Sequence, residues 1–248
     1  SVYGGNTSCV EIRINNEILI FDMGSGIKNL GDSLIERKIN NFDIFLSHFH
    51  YDHTCGFPFF KPAFNPNINF NVRSGRKDMI QVLDGQISSP SFPITLKEFV
   101  ANISYDSFHI GEEIIIKNNI KVLTLPLNHP DGAVGYRIEY KDKAVCYITD
   151  HEHEENVKNE KLINFVSNSD LLIYDSTYRD EEFDGYKGWG HSTWQEGFRL
   201  SKYSKTKKYV IYHHNPDNKD NIMKEIEEEA NLTSSNILVA KEGMSVKI

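Results

Sequence analysis

The start of the chain carries the hydrophobic patterns of a hairpin, a helix and a buried strand. Apolar and polar positions alternate over residues 9–22 on both sides of an Asn-Asn pair, which is typical of a β-hairpin. In residues 23–38, small residues lead into apolar side chains at helical spacing, and this pattern predicts a helix. A short apolar run at 42–47 predicts a buried strand, and a histidine-rich stretch follows it directly.

The second half of the chain alternates predicted strands with predicted helices. The patterns predict hairpins over 112–127 and 135–150, a strand at 169–178, a helix at 192–205, a strand at 207–214, a helix at 217–232 and closing strands within 235–248. The helix at 192–205 is predicted to begin with a capping box formed by Ser192 and Gln195.

The middle of the chain shows a weaker pattern. Residues 57–110 are rich in Phe, Pro and Asn, with one predicted helix around 77–83, and we interpret them as an irregular flap over a site. The other elements form two α/β halves with mixed sheets, an order that predicts a four-layer αββα sandwich. No linker or repeat interrupts the sequence, so we predict one domain over residues 1–248.

Composition and charge narrow the classes of partner. The 248 residues carry a formal net charge of −8, which argues against a nucleic-acid partner or an anionic membrane surface. No apolar run approaches the roughly 20 residues needed to span a bilayer. The three cysteines, Cys9, Cys55 and Cys146, are odd in number and far apart, unlike a disulfide framework. We therefore expect a cytoplasmic protein.

Four residues with metal-binding side chains follow the strand at 42–47. His48 and His50 are two positions apart, so an extended backbone would direct both imidazoles to the same side. Asp52 and His53 come next, where the chain turns. Three imidazoles and one carboxylate suit Zn²⁺, and also Fe or Mn. The alternative, a polar loop with unrelated histidines, does not explain four such residues within six positions.

Further side chains of the same types follow apolar runs later in the chain. His129, Asp150 and the neighbouring pair His213 and His214 each lie just after a predicted strand. If these strand ends converge on one edge, the groups would complete a site for two metals, with Asp150 as the bridge.

These motifs resemble the metallo-β-lactamase fold superfamily. The resemblance rests on the segments "FDMGSG", "HFHYDH", "NHP", "YITD" and "YHH", in that order. It implies one divalent metal ion on His48, His50 and His129. It implies a second on Asp52, His53 and a terminal histidine, with Asp150 between the two ions. His213 is favoured over His214 as the terminal ligand, and the ions are expected to be Zn or Fe, with Mn as a further option.

The segment "GWGHST" is similar to a segment of the ribonuclease-Z-like phosphodiesterases. That resemblance implies that His191 donates a proton or binds a metal-bound anion, with Asp52 as both metal ligand and proton acceptor. The expected function is hydrolysis of a small phosphodiester or another ester through a metal-bridging hydroxide. The alternative for "GHST" is a helix cap with an exposed histidine.

A second functional class shares this fold. A diiron protein that binds O₂ and signals to a partner, for example in chemotaxis, would use the same ligand types without hydrolysis. In either case Asp22 and Asp175 are candidates to brace the ligating histidines. His151 and His153 are interpreted as a solvated rim. The aromatic-rich residues 55–64 are expected to form either a hydrophobic wall or a homodimer contact.

Overall fold

The computed structural model describes residues 1–248, which form two compact units. The first, here called the N-unit, is Asn6–His109. The second, the C-unit, combines Ser1–Gly5 with Ile110–Ile248. Each unit has its own core of buried apolar side chains. The assignment of the whole chain to one domain stays a prediction.

The N-unit contains a five-stranded mixed sheet with strand order β1-β2-β3-β4-β5. The first two strands form an antiparallel hairpin and the others pair in parallel. The strands are β1 (Val10–Ile14), β2 (Glu17–Phe21), β3 (Asn41–Phe45), β4 (Asn69–Ser74) and β5 (Asn102–Ser107), and the helices are α1 (Ile27–Glu36), α2 (Tyr51–Thr54) and α3 (Met79–Gln86).

Strands β4 and β5 lie inside the segment that the sequence pattern indicated to be irregular, so that interpretation is wrong for both. Phe70 and Val72 of β4 are buried, while the residues between them are polar and partly exposed. Asn71 and Arg73 bond to Asp43 on the neighbouring β3, at 2.8 and 2.9 Å. These asparagine and arginine side chains belong to a polar sheet face, which is why the segment resembled a loop. A flap role for the rest of the segment stays a prediction.

The aromatic-rich residues 55–64 divide between core and surface. Phe57 and Phe60 are fully buried, whereas Phe59 is 53% exposed and Phe64 is 41% exposed. Two short 3₁₀ turns produce this division. The segment therefore contributes to the N-unit core, and a homodimer contact through its exposed rings stays a prediction.

The C-unit contains a seven-stranded mixed sheet with strand order β12-β11-β10-β9-β8-β7-β6. The strands from β6 to β9 are antiparallel, and those from β9 to β12 are parallel. The strands are β6 (Glu113–Ile116), β7 (Ile120–Leu127), β8 (Ala133–Tyr140), β9 (Lys143–Ile148), β10 (Leu171–Asp175), β11 (Lys208–Tyr212) and β12 (Ile237–Val239), and the helices are α4 (Glu160–Phe165), α5 (Trp194–Tyr203) and α6 (Asp220–Thr233).

The predicted α/β class with two mixed sheets is confirmed. The N-cap of helix α5 lies one residue later than predicted, because the side chain of Thr193, and not that of Ser192, accepts a hydrogen bond from Glu196 N at 3.1 Å. None of the helices is long and apolar enough to cross a membrane.

Parallel strand ends place polar residues at one edge in each unit. In the N-unit, Asp22 follows β2 and Ser47 lies just beyond β3. In the C-unit, Asp150 lies just beyond β9, Asp175 ends β10 and His213 follows β11. Because the carboxyl ends of adjacent parallel strands share an edge, each set is brought together within its own sheet.

Helix α5 packs closely on the C-unit sheet at Gly197. A Cβ added there would lie 2.2 Å from Tyr209 Oη and 2.8 Å from a ring carbon of Tyr174. We expect Gly197→Ala to lower the free energy of unfolding by about 1–3 kcal/mol, because this core is already filled. The matched control is Gly85→Ala in α3, where an added Cβ meets nothing within 4 Å. It should be neutral or stabilise by up to about 1 kcal/mol. Urea unfolding measures both, and equal effects would contradict this account of the packing.

Candidate metal centre

In the N-unit, the buried carboxylate of Asp22 organises the histidine-rich turn. It accepts hydrogen bonds from Ser47 N at 2.7 Å and from Ser47 Oγ at 2.8 Å. His53 Nδ1 lies 2.8 Å from Asp22 Oδ2, so Nδ1–H is the donor to the carboxylate. The proton on Nδ1 leaves Nε2 as the nitrogen able to bind a metal.

His48 is oriented through the same carboxylate by way of a hydroxyl. Its Nδ1 lies 3.0 Å from Ser47 Oγ, whose own hydrogen goes to Asp22, so the hydroxyl oxygen accepts from His48 Nδ1–H. The ring centroid of His48 is 4.5 Å from that of His50 and 4.2 Å from that of His53. The three imidazoles therefore crowd together within the N-unit.

Asp52 joins this group because the short helix α2 begins directly after His50. The turn places Asp52 Oδ2 3.2 Å from His53 Nε2. The side chain of Asp52 is 42% exposed, whereas that of His53 is fully buried. The four predicted ligands of the N-unit thus form one cluster, in which the Asp52 carboxylate is partly accessible to solvent.

In the C-unit, the buried carboxylate of Asp150 lies among three imidazoles. Its Oδ1 is 3.7 Å from His129 Nε2 and 3.9 Å from His191 Nδ1, and its Oδ2 is 3.4 Å from His213 Nε2. Thr149 Oγ1 donates a hydrogen bond to Asp150 Oδ2 at 2.5 Å. Both carboxylate oxygens therefore face ligand-type nitrogens, as a bridging ligand requires.

Asp175 orients two of these imidazoles. Its Oδ2 accepts from His191 Nδ1 at 2.8 Å, and its Oδ1 accepts from the Thr177 hydroxyl at 2.9 Å. Thr177 Oγ1 in turn lies 3.1 Å from His213 Nδ1 and accepts a hydrogen bond from its N–H group. Burial disfavours the charged form of His191, but the negative charge of Asp175 and the hydrogen bond to it outweigh burial and raise the pKa of His191. The His191 ring is hydrogen-bonded to a buried carboxylate. It is therefore not the exposed histidine beside a helix cap that the alternative for "GHST" predicted.

His214 is turned away from Asp150. Its Nε2 donates to the carbonyl oxygen of Ala240 at 2.9 Å, and burial lowers its pKa. Of the two adjacent histidines, His213 is the one whose Nε2 lies near Asp150. The backbone of His213 adopts φ 58°, and this left-handed conformation directs the two side chains apart.

The interpretation of His151 and His153 as a solvated rim is wrong. His151 is only 3% exposed, its Nδ1 accepts a hydrogen bond from Asn128 N at 3.2 Å, and burial lowers its pKa to about 4. His153 is half-buried, and its ring stacks on Phe183 with centroids 4.1 Å apart. Asp150 has φ 51°, and the three residues after it are buried or half-buried, whereas residues 154–161 are exposed.

Sequence reasoning also missed Glu152. Its carboxylate accepts hydrogen bonds from the backbone N–H groups of Gly188 and Gly190, each at 2.8 Å to Oε2. The carbonyl oxygen of Gly190 then accepts from His129 Nδ1 at 2.8 Å, which leaves His129 Nε2 for a ligand. Glu152 therefore positions a metal-ligand candidate through one backbone segment. In the sequence, Glu152 is one of several acidic residues after Asp150, and nothing distinguishes it from the others.

The chemistry of these donors fits divalent cations. Both clusters offer imidazole nitrogens and carboxylate oxygens, and the Nδ1 hydrogen bonds leave Nε2 atoms to bind. In the C-unit, one candidate atom from each of Asp150, Asp175, His191 and His213 lies within 4.8 Å of the others. Such N/O donor sets with oriented imidazoles are typical of Zn, Fe and Mn sites. The clusters therefore indicate divalent-metal binding.

Comparison with known proteins decides the family. Residues 33–214, which include every candidate ligand, match the beta-lactamase superfamily domain. The chain belongs to the metallo-β-lactamase superfamily. The ribonuclease Z of Haloarcula marismortui is 18% identical to this protein, and the alignment covers 98% of this chain and 91% of that relative.

Solved structures confirm the fold. The metallo-beta-lactamase fold protein YhfI from Bacillus subtilis aligns with a TM-score of 0.75 and 18% identity, covering 98% of this chain and 94% of YhfI. Zn²⁺-bound PqqB from Methylobacterium extorquens aligns with a TM-score of 0.72 and 14% identity, covering 97% of this chain and 87% of PqqB. The predicted superfamily and its ribonuclease-Z-like branch are confirmed. The name of the Haloarcula relative conflicts with the expectation, drawn from net charge, that nucleic acid is not a partner.

Asp22 can be tested apart from the ligands. We expect Asp22→Asn to weaken metal binding about 10–100-fold, because an amide cannot accept from Ser47 and His53 as the carboxylate does. Asp43→Asn, on the adjacent strand β3, is the matched control and should leave metal affinity unchanged. Chelator competition measures affinity, and circular dichroism verifies folding. Equal affinities for Asp22→Asn and the unaltered protein would contradict the bracing role.

Proposed function

We propose that this protein is a metal-dependent hydrolase that cleaves phosphodiesters with two divalent metal ions, most simply zinc. The proposed ligands are His48, His50, Asp52, His53, His129, Asp150 and His213. The observation that carries the proposal is the position of the buried Asp150 carboxylate among the imidazoles of His129, His191 and His213. Superfamily membership supports divalent-metal binding by these residues.

Bound metal ions would supply an activated water molecule and would neutralise negative charge on the phosphoryl group. The protein's own groups handle the protons. Asp52 is the most exposed carboxylate of the proposed ligand set and is the proposed proton acceptor. His191, held through Nδ1 by Asp175, presents its Nε2 side as the proposed proton donor to the leaving oxygen.

Zinc is the proposed metal for two reasons. The donors are imidazoles and carboxylates, which suit zinc in catalytic sites. PqqB, of the same fold, has been solved with Zn²⁺ bound. The diiron oxygen-sensor alternative is not supported by the relatives described above, whereas the ribonuclease Z relative supports hydrolysis.

The proposed substrate class is a small phosphodiester, in keeping with the acidic net charge. RNA is the second candidate, for two specific reasons. One relative is named ribonuclease Z. In addition, Lys202 and Lys205 line a surface cavity of about 180 Å³ in the C-unit together with Lys207, whose ammonium group is paired with Asp170. The two other lysines form a local positive surface that the acidic net charge does not reveal.

Asp52 is the decisive residue for turnover. We expect Asp52→Ala to lower kcat on bis-p-nitrophenyl phosphate by roughly a hundredfold or more, through loss of both a ligand and a proton acceptor. Because Asp52 is partly exposed, folding should change little. Asp106→Ala, an exposed carboxylate of the N-unit, serves as the control. A folded Asp52→Ala protein that turns over substrate normally would refute its assigned role.

The two adjacent histidines offer a sharp pair of variants. His213→Ala should bind about one metal ion fewer per chain, because its imidazole lies beside Asp150. His214→Ala should retain the metal, because that ring bonds to the Ala240 carbonyl instead. Metal content is measured by elemental analysis after desalting. Loss of metal in His214→Ala with retention in His213→Ala would reverse the ligand assignment.

A further inference from the structure

An exposed tryptophan lies two positions before His191. Trp189 is 63% exposed, whereas the only other tryptophan, Trp194, is 5% exposed. Single exposed hydrophobic side chains are common and need no explanation by themselves. The way in which the backbone around Trp189 is held distinguishes it from such residues.

The backbone on both sides of Trp189 is fixed by one carboxylate. Gly188 and Gly190 have φ 88° and 87°, and both donate their N–H groups to Glu152. A Cβ at Gly190 would lie 2.1 Å from His129 Nδ1, so this glycine is required where the segment meets the metal-ligand candidate. Trp189 N donates to the carbonyl of Tyr186 at 3.1 Å. The backbone that carries the exposed indole is therefore held in place by hydrogen bonds on both sides of Trp189.

A row of aromatic rings in contact with one another connects Trp189 to His191. The Trp189 ring meets Tyr186 edge-on at 5.6 Å, and Tyr186 stacks on Tyr178 at 4.2 Å with an interplanar angle of 9°. The ring of Tyr178 lies 6.2 Å from that of His191. This row supports the indole from the protein side and links it to the proposed proton donor.

The charges around the indole favour a neutral ligand. Lys187, the nearest cation in sequence, is paired with Asp184 and Glu155, and Glu152 is also close by in the structure. Acidic groups that bond to this segment would repel a phosphate placed on the indole, but they do not repel an uncharged planar ring.

We propose that Trp189 is a stacking platform for the nucleobase of a nucleotide phosphodiester. This inference rests on the proposed function and names its substrate class. The phosphodiester would occupy the metal centre, while its base would stack on the indole, as bases do on exposed aromatic side chains. The base belongs either to a small nucleotide or to a nucleotide of an RNA strand.

Selectivity for a base is the direct test. The ratio of kcat/KM for thymidine 5′-(p-nitrophenyl phosphate) to that for methyl p-nitrophenyl phosphate compares substrates with and without a base. We expect Trp189→Leu to lower this ratio about tenfold, mainly through KM, and Trp189→Phe to retain most of it. Tyr203→Leu, which alters another exposed aromatic residue of the C-unit, should leave the ratio unchanged. A loop merely disturbed by the substitution would slow both esters equally, and an unchanged ratio would overturn the proposal.

Binding without turnover separates this proposal from the proposed hydrolysis. Calorimetry with uridine 5′-monophosphate and with ribose 5-phosphate should show that only the unaltered protein and Trp189→Phe prefer the nucleotide. That preference would support the platform even in a protein that hydrolyses no diester, and its absence would overturn the platform even in an active enzyme. A uridine hexamer that binds more tightly than the monophosphate, with strong salt dependence, would assign the base to RNA. Equal affinities would assign it to a small nucleotide.

Discussion

A buried aspartate at a sheet edge orients the imidazoles in each unit. Asp22 bonds directly to His53 and reaches His48 through the hydroxyl of Ser47. Asp175 bonds directly to His191 and reaches His213 through the hydroxyl of Thr177. In both units the carboxylate holds Nδ1–H and so leaves Nε2 for a ligand or a substrate. Without these hydrogen bonds the imidazole rings would still be present but would not be held in one orientation. Metal affinity depends on that orientation.

Backbone strain accompanies these positions. Asp22, Asp150 and His213 have φ 64°, 51° and 58°, a left-handed conformation that costs non-glycine residues about 1 kcal/mol or more. Each follows a buried strand, where the chain must leave the sheet and direct a side chain back across its edge. The stable strands β2, β9 and β11 hold these conformations in place, so fold stability offsets the strain at the candidate site.

Much of the site could be predicted from sequence because its signal is local. The cluster from His48 to His53 combines close spacing with a preceding apolar strand, and both features are visible in the letters alone. The later ligand candidates lie far apart in sequence; their positions after apolar runs marked them, and the resemblance to a family assigned them to the two metal ions. The choice between His213 and His214 depended on a backbone angle, which adjacent identical residues do not reveal.

The features that could not be predicted from the sequence depend on contacts between residues that are distant in the chain. Strands β4 and β5 were missed because their exposed face is rich in Asn, Asp and Ser, which usually indicate loops. His151 was assigned to solvent because its neighbours are acidic, yet the turn at Asp150 buries it. Glu152 acts through backbone N–H groups of glycines distant in sequence, and no residue pattern encodes such a contact. Tertiary packing decided each case.

Metal-dependent hydrolysis can be tested by a metal titration of the metal-free protein, followed by turnover of bis-p-nitrophenyl phosphate. We predict that activity rises with added Zn²⁺ and saturates at about two ions per chain. Anaerobic loading with Fe²⁺ and then exposure to air completes the experiment. Phosphodiester turnover with zinc would support the hydrolase. A protein that is inactive with zinc, but binds about two irons and gains a stable visible absorption band in air, would contradict the hydrolase proposal.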